Sequence, residues 1–175
     1  MDAQVNGQHF TVDAGIFGGR PVFRGTTIAV SDVLEMVAEE RNWDDIIAAC
    51  GGAVTREAIA EAVRTAARVF VRRAERRPPR DQTTGEIVED APPREHERVL
   101  LGKHVVVDTA ICHGQVTFVG TRIFVESVLD DVSREEPWPS IVRNWHDSIT
   151  HESIAEAIRL TSAAWMAAVS EPAHA

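Results

Sequence analysis

A chain of 175 residues with 44% hydrophobic and 26% charged residues has the make-up of a soluble globular protein, and no apolar run of about 18 residues is present to span a bilayer as a helix. Its formal charge of -9 excludes a protein that coats nucleic acid indiscriminately, because such binding grows with the phosphates neutralised. The acidic opening Met1-Asp2-Ala3-Gln4 is the wrong start for a secretory signal, so a cytoplasmic protein is expected.

Val5-Asn6-Gly7-Gln8 holds an Asn-Gly pair whose tolerance of positive φ suits a tight hairpin turn, and His9-Phe10-Thr11-Val12 alternates as a strand does. Pro21-Val22-Phe23 and Ile28-Ala29-Val30 read as two more short strands around the turn at Gly25. A helix follows, with Ser31 as its expected cap, Asp32 in its first turn and Val33, Leu34 and Val37 on its buried face. A second, short helix carries Trp43, Ile46, Ile47 and Cys50. After Gly51-Gly52, Thr55 caps a third, with Ile59, Ala62, Val63, Ala66 and Phe70 as its apolar stripe. Pro78-Pro79 stops it beyond Arg77.

The chain then repeats itself. Gly114 to Val125 copies Gly19 to Val30 at an offset of 95, and the offset holds without a gap from Thr11/Val106 to Phe70/Trp165, with about a third of positions identical. Strands are expected at Val105-Val107, Thr117-Val119 and Ile123-Val125, and helices on the Val128/Leu129/Val132, Trp138/Ile141/Trp145 and Ile154/Ile158/Trp165 patterns. The organisation is a first module over 1–77, a charged linker over 78–98, a second module over 99–170 and a tail over 171–175. The fold class is mainly α with small β elements: tandem duplicated three-helix modules, each preceded by short β-strands.

Two helices, a short turn and a third helix with a polar first turn match a helix-turn-helix, whose later helix reads the major groove through its N-terminal side chains. The candidate DNA- or partner-binding residues are Arg56, Arg64, His151 and Arg159, joined by Arg68 and Arg72, which extend Arg64 into a stripe spaced four apart. Ala163 and Ala167 stand where the second module would carry Arg68 and Arg72, so the stripe is private to the first. No metal site is expected: His146 and His151 straddle a turn and His113 beside Cys112 lacks a second ligand pair. No catalytic set is expected either, since neither cysteine nor a histidine reads as shared by the modules, and no cofactor loop is present. The cysteines, Cys50 and Cys112, are expected as buried or half-buried free thiols.

Gly19-Arg20-Pro21-Val22-Phe23-Arg24-Gly25-Thr26-Thr27-Ile28, followed by Val30-Ser31-Asp32-Val33-Leu34, resembles the pattern GkPvirGTRIpVsdiL of the family called domain of unknown function 433, and so does Gly120-Thr121-Arg122-Ile123 with Val125 and Leu129. The resemblance implies a homeodomain-like helix-turn-helix that pairs into dimers, in proteins regarded as antitoxin-like, VapB-type components beside nuclease-like toxins. Its R-G-T-R motif is divided here: Arg24, Gly25 and Thr26 without the second arginine, Gly120, Thr121 and Arg122 without the first. The expected molecule is therefore an intramolecular pseudo-dimer whose β elements pack across a pseudo-twofold axis. Its expected function is non-enzymatic and regulatory, with a DNA operator, a toxin protein or a further copy of itself as partner. The alternative is an interaction or assembly adaptor on the same scaffold without DNA binding.

Overall fold

The computed structural model describes residues 7–12, 17–75 and 97–170. In the first half, β1 (Phe10–Thr11) pairs antiparallel with β2 (Val22–Phe23), and α1 (Val30–Ala38), α2 (Trp43–Ala49) and α3 (Arg56–Glu75) follow. In the second, β3 (Arg98–Leu100), β4 (Val105–Asp108) and β5 (Val116–Phe118) form an antiparallel sheet in that order, and α4 (Val125–Ser133), α5 (Trp138–Asn144) and α6 (His151–Ser170) follow. The two repeated helical units that the duplication implies are thus present. Residues 76–77 of the expected first module, 78–96 of the expected linker and the tail at 171–175 lie outside the described residues, and Arg98, expected as the linker's last residue, already belongs to β3.

The repeated glycine-threonine stretch is a clasp that turns each sheet into its first helix. Gly25 and Gly120 both stand at φ 77°. The Thr26 hydroxyl donates to the Phe23 carbonyl at 2.9 Å and accepts from the Ile28 N–H at 3.0 Å, and Thr121 repeats this with Phe118 and Ile123 at 3.0 Å each. The strands expected at Ile28–Val30 and Ile123–Val125 shrink to single bridges, Val22 with Ala29 and Thr117 with Phe124. The helix claims the next residue in each case. Ser31 is not the cap: α1 begins at Val30, one residue before it, and the Val30 N–H, a donor with no partner inside the helix, donates to the Pro21 carbonyl at 2.9 Å. The other expected cap is in place, with the Ala58 N–H donating to Thr55 Oγ1 at 3.3 Å.

Gly7 also differs from expectation. Its φ is not positive, and glycine is needed because a Cβ there would stand 2.3 Å from Phe10 and 2.5 Å from Glu61 Oε1. Val5 and Asn6 lie outside the described residues.

The halves share one hydrophobic core. The expected packing of β elements across the pseudo-twofold is not what joins them: the two sheets stay separate, and the crossing is helical. Helix α1 lies on α6 of the other half, α4 lies on α3 in the equivalent way, and α3 and α6 pack together at the centre. Helices are the larger apolar surfaces here, and two-residue strands such as β1 and β2 have little to bury. Each module near 60 residues is marginal alone, and the exchange of helix faces supplies the missing core. Phe10 of β1 is carried into it, meeting Trp165 of α6 edge-on with ring centroids 4.8 Å apart. No helix among the described residues is long and apolar enough to cross a membrane.

Candidate functional site

The first turns of α3 and α6 are where a helix-turn-helix would present its reading side chains, and here both face carboxylates of the opposite half. Arg56 bonds to Asp44 of its own module and to Glu135, beyond the end of α4. His151, its repeat counterpart, places Nδ1 2.7 Å from Glu40 Oε2, beyond the end of α1, and rests edge-on against Trp138. The hydrogen bond to Glu135 is the largest influence holding the Arg56 guanidinium above its ordinary value, and the Asp44 contact adds to it against partial desolvation.

Glu40 and Glu135 are themselves repeat counterparts in an uncommon backbone state. Their φ angles are 58° and 61°. The Glu40 N–H donates to the Val37 carbonyl at 3.0 Å and the Arg41 N–H to Met36 at 3.2 Å; Glu135 and Glu136 donate likewise to Val132 and Asp131 at 2.9 and 3.2 Å. This is the Schellman ending, whose left-handed position usually holds glycine. A side chain there is strained by about 1 kcal/mol or more, and in both copies the carboxylate reaches across to the other half.

Two turns along the long helices the pattern recurs. Arg159 Nε donates to Glu35 Oε1 at 2.8 Å, and its counterpart Arg64 donates to Ser133 Oγ at 3.3 Å, both across the interface. Thus Arg56, Arg64, His151 and Arg159 converge on the junction of the halves. Arg68 and Arg72 remain exposed on α3, with Arg68 bonded to Thr65 Oγ1 of its own helix at 3.2 Å.

Of the motif arginines, Arg24 is structural: its Nε and Nη2 donate to the carbonyls of Gln8 and Gly7, at 3.1 Å each, holding the entry to β1. Arg122 is exposed and makes no hydrogen bond or ion pair among the described residues.

One shared device escaped the sequence reading, which took no histidine to be common to the modules. His9 and His104 are 95 apart, just before the stretch aligned from Thr11, and Glu61 and Glu156 keep the same offset. The Glu61 carboxylate accepts the N–H groups of Gln8 and His9 at 2.7 and 3.0 Å, and the Glu156 carboxylate those of Lys103 and His104 at 2.7 and 2.6 Å. Each long helix thereby latches the start of its own sheet. Glycine precedes the latch in both copies; a Cβ on Gly102 would lie 2.8 Å from Glu156 Oε1. Burial pushes the Glu61 carboxyl up, but hydrogen bonds from His9 Nδ1, at 2.6 Å, and from the two amides outweigh it and leave it below the usual carboxylate range.

Two open clefts flank these contacts. One, of about 490 Å³, lies where the α1–α2 and α4–α5 corners meet, between Glu40, Trp43, Glu135 and Trp138. The other, of about 400 Å³, separates α3 from α4. Cys50 and Cys112 are half-buried free thiols, as expected, with burial raising that of Cys50. Among the described residues no three His, Cys, Asp or Glu side chains gather as a metal site.

A protein-family model described as "Protein of unknown function (DUF433)" matches residues 11–64 and again 105–160. No curated protein and no solved structure matches the chain. The two matched segments cover more than half of the sequence and coincide with the two repeated units of the fold, and the chain belongs to the DUF433 family, of which it carries two tandem copies.

Proposed function

We propose that this chain is a non-enzymatic, cytoplasmic regulatory protein of the antitoxin type, and that it acts by holding a toxin-like protein partner. The observation carrying this reading is the commitment of Arg56, His151 and Arg159 to carboxylates of the opposite half, and of Arg64 to Ser133. A base or phosphate would have to compete with these contacts for side chains that stay partly exposed, Arg56 at 40%, His151 at 43% and Arg159 at 49%. Glu57 and Glu152 in the same first turns, with Asp44 and Asp45 in the first turn of α2, add negative charge where a phosphate backbone would lie.

DNA binding is the second reading, favoured by the order of a short helix, a turn and a long helix in each half together with the exposed Arg68 and Arg72. Both are tested with the intact chain and the product of its neighbouring gene. The partner reading expects a stoichiometric complex on co-expression, relief of any growth arrest that the neighbour causes, and no shift of the chain's own upstream DNA at low salt. A salt-sensitive shift abolished by replacing Arg56 and Arg159 favours DNA instead. Absence of both complex and shift sinks the antitoxin reading and leaves the assembly adaptor.

A further inference from the structure

The cleft between α3 and α4 has walls of opposite charge. Arg64 and Arg68 line one side, Glu126 and Asp130 the other, and Ala67 lies between the arginines. Arg72, four residues beyond Arg68, continues the cationic edge. Several cations of this acidic chain are tied to carboxylates, as Arg56, Lys103, Arg134 and Arg159 are. On this edge they are not: Arg64 and Arg68 bond hydroxyls, and Arg72 makes no hydrogen bond or ion pair among the described residues. Glu126 is likewise without one. The shared fold does not require these arginines, since the second module holds its equivalent helix with Ala163 and Ala167 at the places of Arg68 and Arg72.

We infer that this cleft is the docking surface for an acidic helical segment of a protein partner, with carboxylates along the edge facing Arg68 and Arg72 and a basic group toward Glu126. The inference deepens the partner-holding reading above and rests on it. Guanidinium groups bind carboxylates through paired donors, and residues four apart on a docked helix would meet residues four apart on α3. A nucleic acid fits less well. Its backbone has one sign of charge throughout, and Glu126 and Asp130 would face it across the cleft.

The test titrates the full chain, at low salt, into a fluorescent helical peptide with Glu at every fourth position along one edge and Lys along the opposite edge. A scrambled peptide of equal composition and a short DNA duplex run beside it. The patterned peptide is expected to bind at least about tenfold more tightly than the scrambled one and to weaken as salt rises. Arg68→Glu with Arg72→Glu, two exposed positions whose replacement leaves the unfolding temperature in place, removes the preference. Equal binding of the two peptides, or a preference that survives the double substitution, overturns the inference. So does a duplex that displaces the peptide from this edge, which would make nucleic acid the occupant. A partner complex that survives Arg68→Glu with Arg72→Glu overturns the cleft while leaving the partner reading standing. Peptide binding without any partner complex removes the partner-holding reading and leaves the cleft.

Discussion

The carboxylate of Glu135, beyond the end of α4, bonds to the guanidinium of Arg56 at the start of α3, and Glu40 and His151 repeat the contact from the other side. A residue that strains its own backbone is held by a partner in the other half. The arrangement separates two effects in one position. Glu135→Ala loses the contact and keeps a side chain at φ 61°, whereas Glu135→Gly loses the contact and relieves the strain. Glycine is therefore expected to be the more stable replacement by about 1 kcal/mol. Urea unfolding of both variants measures the difference, and equal midpoints would remove strain from the account. Arg56→Ala should destabilise the native chain and have a smaller effect once Glu135 is replaced, the remainder being its contact with Asp44.

The Glu61 latch predicts a stability that depends on pH. Its carboxyl sits below the ordinary value of 4.5 in the folded chain, so its contribution is fully present above about that pH and is lost as pH falls through the lower folded-state value. Glu61→Ala leaves the Gln8 and His9 amides without their acceptor and is expected to cost on the order of 1–2 kcal/mol at neutral pH. Thermal unfolding between pH 7 and about pH 3 should show a shallower acid loss in this variant than in the parent. Parallel curves would assign the acid sensitivity to other carboxylates.

The helices and their duplication were legible because they rest on local pattern: Val33, Leu34 and Val37 recur as Val128, Leu129 and Val132, and each triplet is buried. What escaped depends on distant backbone. Ser31 has the chemistry of a cap, yet the Val30 N–H is taken by Pro21. Arg98 reads as the end of the charged linker and Val99-Leu100 as an unassigned start of the second module, and the three become a strand only by pairing with Val106, Val107 and Asp108. Arg56 and Arg159 are arginines at helix positions that read DNA in other proteins, and nothing local says that carboxylates across the interface will occupy them. The latch was legible in principle, since His9/His104 and Glu61/Glu156 keep the repeat offset, but His9 precedes the aligned stretch.

Among the described residues, the second half holds more non-glycine positions at positive φ than the first. Cys112, His113 and Gly114 stand at φ 49°, 57° and 79°, where the first half places Phe17, Gly18 and Gly19. His113 and Gly18 have nearly the same backbone, with ψ 31° and 30°. His113 is exposed and makes no hydrogen bond or ion pair among the described residues, so nothing offsets its conformation. His113→Gly is expected to stabilise the chain by roughly 0.5–1 kcal/mol, the left-handed penalty less the greater entropy of glycine in the unfolded state. A lowered melting temperature would show that His113 contributes a contact of its own.

Phe10 and Trp165 test whether the halves fold as one body. Both are fully buried, they meet across the interface, and their repeat counterparts Val105 and Phe70 are smaller buried residues. Trp165→Ala is expected to cost about 3–5 kcal/mol through the cavity it leaves. Trp165→Phe copies the residue of the other half and also removes an indole N–H that has no hydrogen-bond partner among the described residues, so it should cost much less, on the order of 1 kcal/mol. Because α1 lies on α6 and α4 on α3, the loss should lower a single transition rather than melt the second half alone. Tryptophan fluorescence and far-ultraviolet dichroism, followed together through a urea titration of Trp165→Ala, are expected to coincide. Two separated transitions, with only the later one unchanged from the parent, would mean that each half holds its own core and that the exchanged helices are a docking contact.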